Sequence, residues 1–176
     1  MNALRLTPLA FSLFALSLHS HAAEDFSNLL SQGKASLDAR YRYEYVDQDN
    51  LLNNANAQTL RTRLGFQSGK FHGLSALVEA DNVSRIGDAA YNSTRNGQSQ
   101  YSVVADPDGT EMNQALLRYD HTLGNLIGGR QRINLDNQRF IGSVAWRQNE
   151  QTFDGALGQL KPIENLTLTY AYIDNI

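Results

Sequence analysis

The segment from Ala35 to Val46 changes side-chain character at every residue, and this alternation constrains the fold more than any other feature. Odd positions are apolar or aromatic, and even positions are mostly polar or ionic. Successive side chains on a β-strand point to opposite faces, so the segment predicts a strand with one apolar and one ionic face. A helix of the same sequence would scatter both classes around its axis.

The same alternation recurs along the chain and predicts six further strands. They cover residues 58–67, 74–81, 113–121, 126–133, 152–157 and 166–173. The pattern is weaker in 126–133, where Gln131 shares the apolar side with Ile127, and it is short and partial in 152–157. A helical pattern occurs only near residues 26–30. We therefore predict an all-β chain of about seven antiparallel strands.

The predicted connectors alternate between short and long. Short connectors are expected at residues 68–70, 121–125 and 161–165, and long polar connectors at 47–56, 82–111 and 134–151. Transmembrane β-barrels of the outer-membrane type combine short periplasmic turns with longer extracellular loops. The connectors thus favour an antiparallel transmembrane β-barrel.

The ionic sides of the predicted strands carry seven arginines: Arg40, Arg42, Arg61, Arg63, Arg118, Arg130 and Arg132. Each would cost ~2–4 kcal/mol facing lipid near the bilayer midplane. Seven such costs would exceed a typical domain stability of about 5–15 kcal/mol. In a membrane barrel these arginines must therefore line the lumen. The same sides add Glu44, Glu79, Asp81 and Gln114 to the predicted pathway.

Aromatic residues at the strand ends support the membrane interpretation. Tyr43, Tyr45, Tyr170 and Tyr172 are expected at one rim, and Phe66, Phe71 and Tyr119 at the other. Outer-membrane barrels carry aromatic girdles at both interfaces. A soluble extracytoplasmic β-sandwich binding module, with one solvated face, remains the alternative.

The N-terminus has the pattern of an export signal. Residues 1–5 carry one positive charge, residues 6–18 are dominated by Leu, Ala and Phe, and small residues precede a cleavage site after Ala22. We predict a signal peptide at 1–22, a short periplasmic segment at 23–34, and part of a barrel at 35–176. The expected location is the bacterial outer membrane.

Composition argues against several other functions. The chain has no cysteine and a net charge of −3, which gives no support for thiol chemistry, cysteine zinc sites or nucleic-acid binding. No catalytic triad, nucleophile elbow, phosphate loop or histidine metal cluster is readable. The run from Asp106 to Gly109 resembles part of a calcium loop but is better interpreted as a turn. We expect no enzyme activity, no metal and no cofactor.

Seven strands are an odd number, whereas bacterial single-chain barrels have even numbers. We expect the chain to be the N-terminal part of a larger barrel. The alternative is a complete eight-stranded barrel in which residues 152–157 conceal two strands. Its lumen would be plugged by salt bridges, and it would act without conducting, as an adhesin or structural protein.

Residues 129–142 (GRQRINLDNQRFIG) and 146–154 (WRQNEQTFD) resemble the alginate export family of outer-membrane β-barrels. Residues 40–44 (RYRYE) are also similar, but they are less specific. The resemblance implies a large barrel whose arginine-rich lumen passes an anionic uronate polysaccharide. It also makes Arg130 and Arg132 candidates for the pathway.

The loop that follows, with Arg139 and Arg147, could fold inward as a constriction or lie in solvent. The function expected overall is an outer-membrane porin or exporter for anionic saccharides or other small anions. Its expected partners are outer-membrane lipid, such an anion, and the barrel-assembly machinery.

Overall fold

A computed structural model describes residues 27–87 and 90–176, which form one antiparallel sheet of seven strands in sequential order. The strands are β1 (Lys34–Val46), β2 (Ala55–Gln67), β3 (Leu74–Arg85), β4 (Gly109–His121), β5 (Gly124–Gln131), β6 (Phe153–Ile163) and β7 (Leu166–Asn175). Residues 27–31 form a helical turn. The all-β prediction is therefore confirmed. The predicted signal peptide at 1–22 lies outside the described residues.

No helix in the described part of the chain is long and apolar enough to cross a membrane.

Connector lengths alternate as predicted, although most strands extend further than the side-chain pattern indicated and β5 is shifted by two residues towards the N-terminus. The short connectors are residues 68–73, 122–123 and 164–165, and the long ones are 47–54, 86–108 and 132–152. All short connectors lie at one edge of the sheet, because sequential antiparallel strands reverse direction at each connection. Residues 153–163 form a single strand rather than two.

The two faces of the sheet differ in the way that the alternation predicted. One face, which we call the apolar face, carries exposed Leu64, Val78, Leu117 and Tyr170. The other, the polar face, carries buried polar side chains; they include Thr59, Arg61, Ser75, Glu79, Asp81 and Gln114. Burial is thus the reverse of a water-soluble core, since hydrophobic side chains face outward and polar ones are enclosed. A β-sandwich needs two packed sheets, whereas the described residues form one.

Strand β5 presents its faces the opposite way from the prediction. Arg130 pairs with Ala115 of β4, and Gly129 pairs with Leu116, so Arg130 lies on the apolar face. The expectation that Arg130 lies beside Arg132 on the polar face is wrong. The register is set by pairing with β4. Because residues 128 and 129 are glycines, they have no side chains whose alternation could indicate which face each position occupies.

Gly129 also explains why this part of β5 has so few side chains. Its φ of +118° is one that L-residues rarely adopt, and a Cβ there would lie 2.3 Å from the Ala115 carbonyl oxygen. Only glycine fits this close approach of β5 to β4.

A β-bulge in β4 places two consecutive polar side chains on the polar face. Glu79 of β3 pairs with Gln114, and the next residue, Ala80, pairs with Met112, so Asn113 is the extra residue. Asn113 and Gln114 are both buried. Regular alternation would have sent one of them to the apolar face.

The described residues contain one small cluster of buried hydrophobic side chains, beneath the 86–108 loop. Tyr91 and Val104 of the loop pack on Ala55 and Ala57 of β2, with Val46 of β1 at the margin. This cluster fixes the loop over the polar face at the long-loop edge.

Candidate pore-lining site

The 132–152 loop lies on the polar face, where Arg40 of β1 binds its backbone. The Arg40 guanidinium donates to Gln148 Oε1 at 3.0 Å, to the Ala145 carbonyl at 3.0 Å, and to the Arg147 carbonyl. Gln148 in turn donates through Nε2 to Thr59 Oγ1 at 3.0 Å. Three acceptors on one rigid guanidinium fork hold this part of the loop against β1 and β2.

Glu150 anchors the other end of the loop in a group of charged and amide side chains. We call Arg63, Glu79, Asp81, Asn113, Arg132 and Glu150 the Glu150 cluster. Glu150 Oε1 accepts from Arg63 Nη2 at 2.5 Å, from Asn113 Nδ2 at 2.6 Å, and from Arg132 Nε. Arg63 also binds Asp81 through two parallel hydrogen bonds of 2.7 and 2.6 Å. The cluster joins three strands and the loop through charge-assisted bonds, the strong class of hydrogen bond.

The environment of Glu150 favours its ionised form. Burial by itself would raise the pKa of the carboxyl group. Hydrogen bonds from Asn113 and Arg132, together with the charges of Arg132 and Arg63, outweigh burial and hold the pKa below its ordinary value. Glu150 therefore remains an anion at neutral pH.

Asp106 connects the two long loops. Its Oδ1 accepts from the Gln148 backbone nitrogen at 2.9 Å, and its Oδ2 lies 3.7 Å from Arg42 Nε and 3.9 Å from Arg147 Nη1. Arg42 and Arg147 also share the Glu44 carboxylate, at 2.5 and 3.2 Å. The loops and β1 thus meet at two carboxylates and two guanidinium groups.

Trp146 adds an aromatic surface beside these charges. The guanidinium carbons of Arg147 and Arg42 lie 4.1 and 5.0 Å from the centroid of the indole, and Arg42 also donates to the Trp146 carbonyl. Sequence reasoning missed the structural roles of Trp146, Gln148 and Glu150. It also interpreted Asp106 only as part of a turn. Most of their partners are about 40 to 110 residues away in the chain, so no local spacing pattern reports them.

The remaining predicted residues are placed as follows. Arg61 on the polar face pairs with Asp38 at 2.6 Å. Arg118 pairs with Asp120 at 2.8 Å, and Lys70 reaches the same carboxylate at 2.8 Å. Arg139 does not join these groups: it is exposed, and its guanidinium lies 5.7 Å from the ring centroid of its neighbour Phe140.

Arg130 pairs with Asp154 on the apolar face through two hydrogen bonds of 2.7 Å. Both residues lie at the long-loop end of their strands, beyond the stretch that would be deepest in a bilayer. Because Arg130 and Asp154 neutralise each other's charge at that rim, both side chains can lie on the apolar face.

Several carboxylates of the polar face are less exposed than the arginines they pair with. The carboxylate side chains of Asp81, Asp106 and Glu150 are 1%, 0% and 2% exposed. The side chains of Arg118 and Arg132 are 40% and 26% exposed. The order is reversed for Asp38, at 56% against 6% for Arg61, and it is absent for Glu44, whose exposure equals that of Arg42. Several carboxylates therefore lie behind the arginines they pair with, and Arg118 and Arg132 are the more exposed members of their pairs.

Within residues 27–87 and 90–176, no group of three or more His, Asp or Glu is arranged to hold a metal ion. The acidic residues of the turn at Asp106, which resembles part of a calcium loop in sequence, also form no such group.

Comparisons with known proteins support one assignment. A search of curated proteins finds no match to the chain, and neither does a search of solved structures. The family model described as alginate export matches residues 31–172, which include β1 to β6 and all but the last three residues of β7. With its single antiparallel sheet and outward-facing hydrophobic side chains, the chain belongs to the alginate export family of outer-membrane β-barrel porins.

Proposed function

We propose that this export porin passes anionic saccharides or other small anions along the polar face, and that the 132–152 loop narrows that path. One observation carries the proposal: water-exposed guanidinium groups stand in front of buried carboxylates. A migrating anion would meet Arg118 and Arg132 before it met Asp81 or Glu150. Rings of exposed charge set the ion preference of a pore.

Arginines that are already paired with carboxylates suit the passage of an anion better than unpaired arginines, because they bind the anion less tightly. Arg63 and Arg132 already share carboxylates within the Glu150 cluster, so an anion competes for them instead of filling an empty charged site. Conduction requires sites that bind strongly enough to admit an ion and weakly enough to release it. The proposed path therefore relies on successive weak contacts.

The test is the reversal potential of the protein in planar bilayers across a salt gradient. We expect anion preference, and Arg132→Gln should reduce it because that side chain faces the path. Arg130→Gln is the matched control, since it removes the same charge from the apolar face and should leave the preference unchanged. Cation preference in the unmodified protein, or equal effects of both variants, would contradict the proposal.

A non-conducting barrel is the second candidate, and the enclosed ion pairs at the 132–152 loop favour it. A lumen filled by such pairs would act as a plug, and the exposed loop surface would carry the activity. In that case neither the protein nor its Glu150→Gln variant would conduct. A conducting channel in either form would exclude this candidate.

Two partners remain expectations from the sequence. Outer-membrane lipid is expected to surround the apolar face, and the barrel-assembly machinery to insert a chain that the predicted signal peptide directs across the inner membrane.

A further inference from the structure

The helical turn at residues 27–31 lies beside the apolar face at the short-turn edge of the sheet. It packs against the connector between β2 and β3, where the Gly69 backbone nitrogen donates to the Leu29 carbonyl at 2.8 Å. A Cβ at Gly69 would lie 2.6 Å from the Asn28 carbonyl oxygen, so a side chain there would push the two segments apart. The close contact fixes the helical turn next to the sheet.

A groove of about 280 Å³ separates the helical turn from the apolar face. Hydrophobic side chains form most of its wall, and all of them except Leu29 are exposed. They are Leu29, Leu30, Phe66, Leu74, Val78 and Leu117. One turn of an α-helix with its side chains occupies roughly 500 Å³, so the groove admits an acyl chain but not a helical segment of a partner. It is also continuous with the surface that is expected to face lipid.

A second cleft, of about 120 Å³, adjoins the same helical turn and the same connector. Asn28 and Gln32 are four residues apart and therefore present their amide groups on one side of the turn. The cleft is completed by the connector, and its lining residues are Asn28, Gln32, Lys70, Phe71 and His72. A polar cleft thus lies next to an apolar groove, as the headgroup and chains of a lipid require.

The charge beside this cleft is positive. Lys70 Nζ lies 2.8 Å from Asp120 Oδ2, and Arg118 Nε lies 2.8 Å from Oδ1 of the same carboxylate. Two cations on one carboxylate leave a net positive charge. The exposed Lys70 ammonium carries three donors, so it can also donate to a phosphate oxygen.

The distribution of lysine supports a membrane role for this edge. The sequence contains three lysines, and all of them lie at the short-turn edge: Lys34 begins β1, Lys70 lies in the β2–β3 connector, and Lys161 lies near the end of β6. Outer-membrane barrels have their short turns on the periplasmic side. Lysines at a membrane surface attract anionic lipids.

From these observations we propose that the helical turn and the β2–β3 connector bind one anionic phospholipid of the periplasmic leaflet. An acyl chain lies in the groove against Leu30 and Phe66, and the phosphate accepts from Lys70. A soluble anion would leave the groove empty. The site does not depend on the proposed anion path, because the groove lies on the opposite face of the sheet.

The test is native mass spectrometry of the full protein in detergent micelles, titrated with dioleoylphosphatidylglycerol or dioleoylphosphatidylcholine. The two lipids have the same chains and differ in headgroup charge. We expect the first phosphatidylglycerol to bind about fivefold more tightly than the first phosphatidylcholine. Lys70→Gln should remove this preference. Lys161→Gln is the matched control and should retain it, since it removes the same charge from the same edge but outside the cleft.

The acyl-chain contact is tested with Leu30→Asn, which should weaken both lipids about threefold to tenfold because it removes apolar surface from the groove. Leu166→Asn is the matched control, since Leu166 is an exposed leucine at the same edge but outside the groove. Lys70 and Leu30 are both exposed, so these variants should fold.

Equal binding of the two lipids would overturn the proposal. So would equal effects of Lys70→Gln and Lys161→Gln, or of Leu30→Asn and Leu166→Asn, because lipid would then bind the surface without a defined site. A protein dimer that Leu30→Asn dissociates would assign the groove to a second copy of the chain, and would also overturn it.

Discussion

The 86–108 loop and the 132–152 loop both cover the polar face, but different forces hold them. The first is fixed by Tyr91 and Val104, which pack in a hydrophobic cluster, and by backbone hydrogen bonds such as Asn56 N to the Ala90 carbonyl at 2.8 Å. The second is fixed by side-chain hydrogen bonds and ion pairs, above all those of Arg40 and Glu150. Hydrophobic burial is insensitive to pH, whereas ion pairs depend on protonation.

This difference indicates separate roles. The 86–108 loop is held mainly by contacts that do not depend on protonation, and Asp106 alone, among the described residues of that loop, ties it to the charged groups of the second loop. The 132–152 loop is held by contacts that a proton or a competing anion can replace. If one loop moves during passage, the comparison points to the second.

The largest effect is expected for Tyr91→Ala, which empties the centre of the hydrophobic cluster. Truncating a buried aromatic side chain costs about 3–5 kcal/mol. Urea unfolding of the protein in lipid vesicles should report this loss, and it should be the same at pH 8 and at pH 5. A loss of stability that differed between the two pH values would show that the 86–108 loop also depends on ion pairs, which would contradict the proposed difference between the loops.

Glu150→Gln comes next, because it leaves Arg63 and Arg132 without their shared carboxylate. Removing one partner of a buried pair costs about 3–5 kcal/mol, but Glu79 and Asp81 remain to compensate part of it. We expect faster trypsin cleavage after Arg139 and Arg147. Glu111→Gln, an exposed carboxylate of β4, is the control. Unchanged cleavage in Glu150→Gln would show that the loop is held by other contacts.

Acidification should reproduce part of that change without a mutation. The pKa of Glu150 is lowered on folding, so its stabilising contribution is complete above the unfolded value of about 4.3 and is lost as pH falls through the folded value. We expect constant single-channel conductance from about pH 8 to pH 5 and an increase only in more acidic solution. In Glu150→Gln the increase should be absent.

The smallest effect on stability is expected for Arg130→Gln. The Arg130–Asp154 pair is more than a third exposed on the arginine side, and pairs of that kind contribute about 0.2–1 kcal/mol. Unfolding measurements should show a shift near the limit of detection. A shift as large as that of Glu150→Gln would mean that the apolar-face pair is far more important than its exposure indicates.

Sequence periodicity predicted the strands because it reports a local property, the direction of each side chain. The strong alternation of β1 gave the correct face for Arg40 and Arg42. In β5 the glycines at 128 and 129 removed the signal, and the assignment of Arg130 failed.

The loop contacts could not be predicted in the same way. Glu150 and Arg63 are 87 residues apart, and Gln148 and Arg40 are 108 apart. Their contact depends on how the loop folds back over a completed sheet. The family resemblance at residues 129–154 marked the right region, but not which side chains meet there.

The extra residue at Asn113 has a consequence for how this surface can vary among related chains. Removing Asn113 alone would restore strict alternation, with Met112 still facing outward and Gln114 still facing inward. One codon can thus be gained or lost at this point without reversing any other side chain of β4. The bulge is a place where evolution can add or delete a single side chain of the polar face while the rest of the strand keeps its orientation.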